Sequence, residues 1–134
     1  MRQIFADTSY WMALVNPRDQ IHQKAIGVSR QLSSVSLLTT DMVLVEVLNS
    51  FSDSLYREAV GRMVASLRQD QNLTIIPQTP AQFQTALQRY QQAADKSWSL
   101  TDCASFDVME GENIEAALTH DRHFVQAGFE ALLR

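Results

Sequence analysis

Ile4-Phe5-Ala6-Asp7-Thr8-Ser9 decides how this chain folds. Three apolar residues in a row that end in an acid read as a short buried strand. They are too few for the apolar core of a signal peptide. Asp, Thr and Ser are helix-starting side chains, because their oxygens can take up the amide hydrogens that a first helical turn leaves free. The apolar stretch Tyr10 to Val15 continues as a short helix, and Asn16-Pro17 stops it. One strand therefore runs directly into one helix.

The same alternation repeats along the chain. Val35 to Thr40 is β-branched enough for a second strand, Leu73-Thr74-Ile75-Ile76 before Pro77 reads as a third, and Ala116-Ala117-Leu118-Thr119 as a last one. Between them lie helical segments. His22 to Leu32 is one, and Met42 to Phe51 is apolar nearly all round, which implies a buried helix. Tyr56, Ala59, Val60, Met63, Val64 and Leu67 form one amphipathic stripe. Thr79-Pro80-Ala81-Gln82 is a capping box with Pro at the first helical position, ahead of the stripe Phe83, Ala86, Leu87, Tyr90 and Ala94. A further helix covers about Thr101 to Met109. Strands separated by helices give a parallel sheet with right-handed crossovers and helices on both faces, an α/β fold.

With 134 residues and 46% hydrophobic positions, one domain spanning 1–134 can bury a sizeable core. That apolar content, with 19% charged residues, excludes a disordered chain. The single cysteine, Cys103, cannot form an internal disulfide, and its apolar neighbours Ala104 and Phe106 make it a packing residue. No stretch approaches the ~18 apolar residues of a membrane helix. The expectation is a soluble cytoplasmic protein.

Chemistry in an open parallel sheet sits beyond the carboxyl ends of the strands. Asp7 follows the first strand and Asp121 the last, so parallel strands bring both to one sheet edge. Glu46 stands inside Val43-Leu44-Val45-Glu46-Val47-Leu48, where an unpaired carboxylate is costly. Asp102 opens the helix after Ser99-Leu100-Thr101. Each acid also has a structural reading: Asp7, Asp102 and Asp121 as helix caps, Glu46 as half of a buried ion pair with an arginine. Four acids together repel one another, and a divalent cation is the usual remedy. His120-Asp121-Arg122-His123 lacks the further ligands of a zinc site, so His123 reads as a surface or packing residue. Asp95 and Asp107 read as a solvated face. No phosphate-cradling glycine motif is present.

Fifteen acidic against eleven basic residues leave a net charge of −4. A protein that coats nucleic acid carries a basic excess, so bulk electrostatics does not hold RNA or DNA here. Metal ions held by the chain's own carboxylates could still bind phosphate locally.

Phe5-Ala6-Asp7-Thr8-Ser9, Glu46 in an apolar helix, Ser99-Leu100-Thr101-Asp102-Cys103 and Leu118-Thr119-His120-Asp121-Arg122-His123-Phe124, in that order, resemble the PIN-domain nucleases. Within them the chain most resembles the toxins of VapBC toxin–antitoxin pairs, and Asn16 to His22 looks like the loop after their first helix. The resemblance runs from about Ile4 to Phe129. It implies a three-layer α/β/α sandwich with a short parallel sheet, and an acidic pocket for Mg2+ or Mn2+. Asp7, Glu46, Asp102 and Asp121 would be the catalytic, metal-binding carboxylates, supported by Thr8, Ser9 and Thr101. The implied activity is endoribonuclease: an ion-activated water attacks an RNA phosphodiester and leaves a 5′-phosphate and a 3′-hydroxyl. The implied partners are RNA, a silencing antitoxin and a second copy in a homodimer. Arg18, Lys24, Lys96 and Arg122, on or near edge loops, are candidate phosphate contacts.

Three other readings stand beside it. An antitoxin-independent PIN nuclease in RNA processing has the same pocket. A protein-binding domain with degenerate chemistry would use the acids only as caps. A haloacid-dehalogenase-like phosphotransferase would carry a second Asp where this chain has Ser9.

Overall fold

The computed structural model describes residues 2–134. The elements in chain order are β1 (Arg2–Ala6), α1 (Thr8–Val15), α2 (His22–Ser29), β2 (Val35–Thr40), α3 (Asp41–Ser50), α4 (Arg57–Leu67), β3 (Leu73–Ile76), α5 (Pro80–Gln92), α6 (Leu100–Gly111), β4 (Ala116–Leu118), α7 (Arg122–Gln126) and β5 (Glu130–Ala131). All five strands are parallel, in the order β3-β2-β1-β4-β5. The chain builds outward from β1 through β2 to β3, then crosses back to β4 and continues to β5. Right-handed crossovers that run in opposite directions place α1–α4 on one face and α5–α7 on the other. The result is a three-layer α/β/α sandwich.

This order puts the topological switch point between β1 and β4. There the connection from β1 leaves toward one edge of the sheet and that from β4 toward the other, which opens a crevice at the strands' carboxyl ends. The pairs Phe5↔Ala117 and Ala6↔Leu118 hold the two strands in register. Asp7 and Thr119 are therefore the first residues beyond the sheet on either side of the crevice.

The core behind the crevice is aromatic. Phe124 of α7 packs edge-on against Phe106 of α6 at 5.0 Å and lies 6.3 Å from Phe5 of β1. Trp98 and Phe129 close the cluster on the other sides of Phe106 at 5.0 and 5.6 Å. Helix starts follow the sequence closely. Thr79 and Gln82 form the reciprocal capping box of α5, and Ser99 and Asp102 form one at α6.

Two features depart from the sequence reading. Helix α3 is not buried all round: Val45 is 55% and Leu48 40% exposed, because only Val43, Leu44 and Val47 face the sheet side of the helix. β5 is a two-residue strand with no period of its own to read. It is placed by the end of α7, where Phe129 N donates to Phe124 O at 2.9 Å and Gly128 takes φ +96. A Cβ on Gly128 would meet no atom within 4 Å, so its backbone conformation alone demands glycine. Gly128→Ala should lower the urea midpoint by an amount equivalent to about 1 kcal/mol, with unchanged m.

Candidate active site

Asp7 begins α1 but does not cap it: its carboxylate makes no hydrogen bond of the helix-capping kind. Its amide donates to Leu118 O at 3.2 Å, which extends the β1–β4 pairing by one step. Its Oδ2 instead accepts the hydroxyl of Thr119 at 2.8 Å, and the residue is only 4% exposed. Burial raises its pKa to about 7, and the nearby charges of Asp102 and Asp121 push in the same direction. The hydrogen bonds from Thr119 and the Thr8 amide oppose this without overcoming it.

Asp102 and Asp121 do cap their helices, and they also converge on one another. Asp102 Oδ2 accepts the Ser99 amide at 3.0 Å and the ring Nδ1–H of His123 at 2.9 Å. Asp121 Oδ1 accepts the His123 amide at 2.8 Å and lies 3.3 Å from the same ring nitrogen. One ligand atom from each of Asp102, Asp121 and His123 lies within 4.8 Å of the other two. Burial raises the Asp102 pKa, while the Ser99 amide and His123 restrain the shift. Capping and clustering are thus compatible, since α6 and α7 both start at this crevice.

Glu46 approaches from α3. It is half-buried, with no cation within salt-bridge distance among the described residues, so the arginine-paired reading does not hold. It shares a cavity of about 360 Å³ with Thr101, the residue before Asp102, and with Met42, Val45, Asn49 and Ser50. Glu46 is outside the tight group of Asp102, Asp121 and His123, as is Asp7.

The supporting hydroxyls divide. Ser9 Oγ lies 3.3 Å from Thr119 Oγ1 and accepts the His120 amide at 3.1 Å. Thr8 Oγ1 is buried with no hydrogen-bond partner, a polar atom left over for a ligand or water. Two residues at the site were not among the site residues expected from the sequence. Thr119, fully buried, donates to Asp7 and accepts the Asp121 amide at 3.0 Å, joining both sides of the crevice. His123 is not a packing or free surface residue: the first turn of α7 swings its ring onto Asp102. Threonine two residues before an acid that follows a strand was the one available hint for Thr119.

Of the candidate phosphate contacts, Lys96 is held by its neighbour Asp95 at 2.8 Å, and Lys24 donates to Arg134 O at 2.6 Å. Arg18 and Arg122 are exposed, with no carboxylate within salt-bridge distance among the described residues. Asp107 does not lie on a solvated face. It is half-buried and accepts Arg89 Nε at 2.7 Å, because Arg89 reaches across from α5 to α6 and also binds Glu110 at 2.6 Å. Cys103 is fully buried, as its neighbours imply.

Carboxylate oxygens form a donor set that hard divalent ions such as Mg2+ and Mn2+ accept, with the His123 ring held against Asp102 beside them. A raised Asp7 pKa, a like-charged neighbourhood and an orphaned Thr8 hydroxyl are compatible with a bound cation at this crevice.

A family model for the PIN domain matches residues 4–130. Mycobacterium tuberculosis VapC20, described as a toxin that cleaves the sarcin-ricin loop, has a similar structure with a TM-score of 0.85 at 26% identity, over 94% of this chain and 95% of that one. FitAcB from Neisseria gonorrhoeae shares the fold at a TM-score of 0.62 and 16% identity, over 96% of this chain and 94% of that one. A search of curated proteins gives no significant match. The β1–β4 crevice with its acids, and a family match over nearly the whole length, lead to one conclusion: this chain belongs to the PIN-domain family and resembles its VapC-type toxins.

Proposed function

We propose that this chain is a Mg2+- or Mn2+-dependent endoribonuclease, the toxin of a toxin–antitoxin pair, with Asp7, Glu46, Asp102 and Asp121 as its catalytic carboxylates. The observation that carries the proposal is Asp7: a buried carboxylate that declines its helix-cap role and sits among the charges of Asp102 and Asp121. A domain that used its acids only as caps would have no reason to bear that cost.

Asp7, Asp102, Asp121 and Glu46 would hold the ion, with His123 and Thr119 fixing carboxylate orientation from behind. A bound divalent ion supplies Lewis acidity toward a phosphoryl oxygen and lowers the pKa of water. Thr119 holds Asp7 Oδ2, and Ser99 and His123 hold Asp102 Oδ2, so the acids present the same oxygens before and after substrate arrives. Hydrolysis would leave a 5′-phosphate and a 3′-hydroxyl. The likeness to a toxin that cuts the sarcin-ricin loop makes a structured RNA loop the first substrate to test. A toxin of this kind calls for an antitoxin, and a homodimer in the cytoplasm belongs to the same proposal. Val45 and Leu48 beside Glu46 offer apolar surface to either protein partner.

Cleavage of such a loop by purified protein should require Mg2+ or Mn2+, stop in EDTA and give 5′-phosphate ends; a 2′,3′-cyclic phosphate would overturn the mechanism. The ion should also stabilise the fold by mass action, in a pH-dependent way. Below pH 7 a proton competes for Asp7, so apparent ion affinity should fall about tenfold for each pH unit from 7 to 5. Melting curves with graded Mn2+ at several pH values check this; equal ion-induced shifts at pH 5.5 and 8 would remove Asp7 from the ligand set.

A further inference from the structure

We infer that the cavity between the start of α1, the α1–α2 loop and His120 seats an RNA backbone phosphate adjacent to the one that is cut, with Arg18 as its cation. The inference rests on the nuclease proposal and deepens it by naming the side on which the RNA strand runs. The cavity has a volume of about 420 Å³ and is lined by Ser9, Met12, Arg18, Asp19, Gln20 and His120, together with Ile21. A chain of hydroxyl contacts links its wall to Asp7. Ser9 Oγ, in its wall, lies 3.3 Å from Thr119 Oγ1, which donates to Asp7 Oδ2 at 2.8 Å. A strand with its scissile phosphate over Asp7 thus meets this wall immediately to one side.

Arg18 is the cation available there. Arg62, Arg68, Arg89 and Lys96 are each engaged by a carboxylate, whereas no carboxylate lies within salt-bridge distance of Arg18 among the described residues. The loop that carries it is held by its own side chains. Asn16 Oδ1 accepts the Arg18 amide at 3.0 Å, and Asp19 Oδ1 accepts the Ile21 amide at 3.0 Å. Asp19, the one carboxylate in the wall, is thereby engaged with its own backbone. His22 Nδ1–H donates to Ala13 O at 2.6 Å and pins the far end of the loop. His120 Nδ1–H donates to Leu133 O at 3.0 Å, which fixes the opposite wall. A guanidinium without a partner on a held loop is a preorganised phosphate contact. Other cavities carry acids, and in a further one Lys96 is already held by Asp95. The one of about 380 Å³ between α5 and α6 is lined in part by Asp107 and Glu112, and the one at α3 contains Glu46. In a chain of net charge −4, backbone binding must be local, and this is where the fold permits it.

The test uses a sarcin-ricin loop RNA in a fluorescence-anisotropy assay, with Asp7→Asn protein to prevent cleavage, with and without Arg18→Gln. Adding Arg18→Gln should raise Kd about tenfold, as expected for a charge-assisted phosphate contact. It should also reduce the slope of log K against log salt by about 0.7. A single neutral methylphosphonate, moved along the loop, should mimic that loss at one linkage only, and there should add nothing further in the Arg18→Gln protein. An unchanged Kd and slope, or losses that add at every linkage, would overturn the inference, as would an Arg18→Gln defect confined to binding a protein partner. Cleavage by the otherwise unaltered protein is scored separately: intact cleavage with no Arg18 effect removes the subsite, whereas an Arg18 effect without ion-dependent cleavage removes the nuclease proposal.

Discussion

Asp7→Asn should make the ion-free protein more stable and the enzyme inactive. In the folded chain the Asp7 carboxyl titrates near 7, against its ordinary 3.8. Between those values the folded state holds a proton that the unfolded chain has released, so stability falls as pH rises through the interval. That loss, complete above pH 7, amounts to about 4 kcal/mol for this one group. Asparagine carries no charge to desolvate and can still accept the Thr119 hydroxyl through its amide oxygen. With some of the gain lost to a poorer fit at the Thr8 amide, the variant should be about 2 kcal/mol more stable at pH 8 in EDTA. In activity the sign reverses: removing a charged ligand from the proposed centre should lower kcat about a thousandfold or more. Added Mn2+ should stabilise the original protein far more than the variant. The two signs together separate this role from a structural one, since a merely structural carboxylate would lose stability on substitution. Melting in EDTA at pH 5 and 8, beside a cleavage assay, reads both. A destabilised Asp7→Asn at pH 8 would contradict the burial argument.

Phe124→Ala carries the largest expected loss of stability. Phe124 is fully buried and bridges Phe5 and Phe106. Truncating a buried phenylalanine to alanine costs about 3–5 kcal/mol, from lost transfer energy and the cavity left behind. Against a total of about 5–15 kcal/mol for a native protein, this is a large share. The consequence is also local. Phe5 lies two residues before Asp7, Phe106 one helical turn after Asp102, and Phe124 directly after His123, so one aromatic cluster backs three sides of the crevice. Urea unfolding should show a much lower midpoint with a similar m, and the folded variant should bind Mn2+ more weakly than its parent. Phe124→Leu, which keeps most of the volume, should recover most of both losses. Unaltered ion binding in a clearly destabilised Phe124→Ala would show that the acids are positioned independently of the core.

Much of this was legible in order along the chain. The strand-to-helix junctions at Asp7 and Asp121 showed because an apolar run ended in a capping side chain, and the boxes at Thr79 and Ser99 showed because their chemistry spans three residues. The features that stayed hidden are set by distant partners. Thr119 is an ordinary strand-end threonine until Asp7, 112 positions away, comes beside it. His123 gains a role only when α7 starts against α6, and Asp107 leaves the solvated class only because Arg89 crosses from another helix. Val45 and Leu48 misled in the opposite direction: apolarity on every side of α3 suggested burial, whereas the structure leaves those two facing out. β5 had nothing to read, since its two residues are placed by the turn at Gly128.

The pairing of β1 with β4 has a consequence for the cell that makes this protein. β1 leaves the ribosome more than a hundred residues ahead of its neighbour in the crevice, and His123 follows later still. A ribosome that terminates between Glu46 and Asp102 releases a fragment that carries Asp7 and Glu46 but cannot bring Asp102, Thr119 or Asp121 to them. Under the proposed activity, every such fragment is harmless to the RNA around it. The hazard begins only after Asp121 has been added, which gives the translating cell an interval in which to have a silencing partner ready.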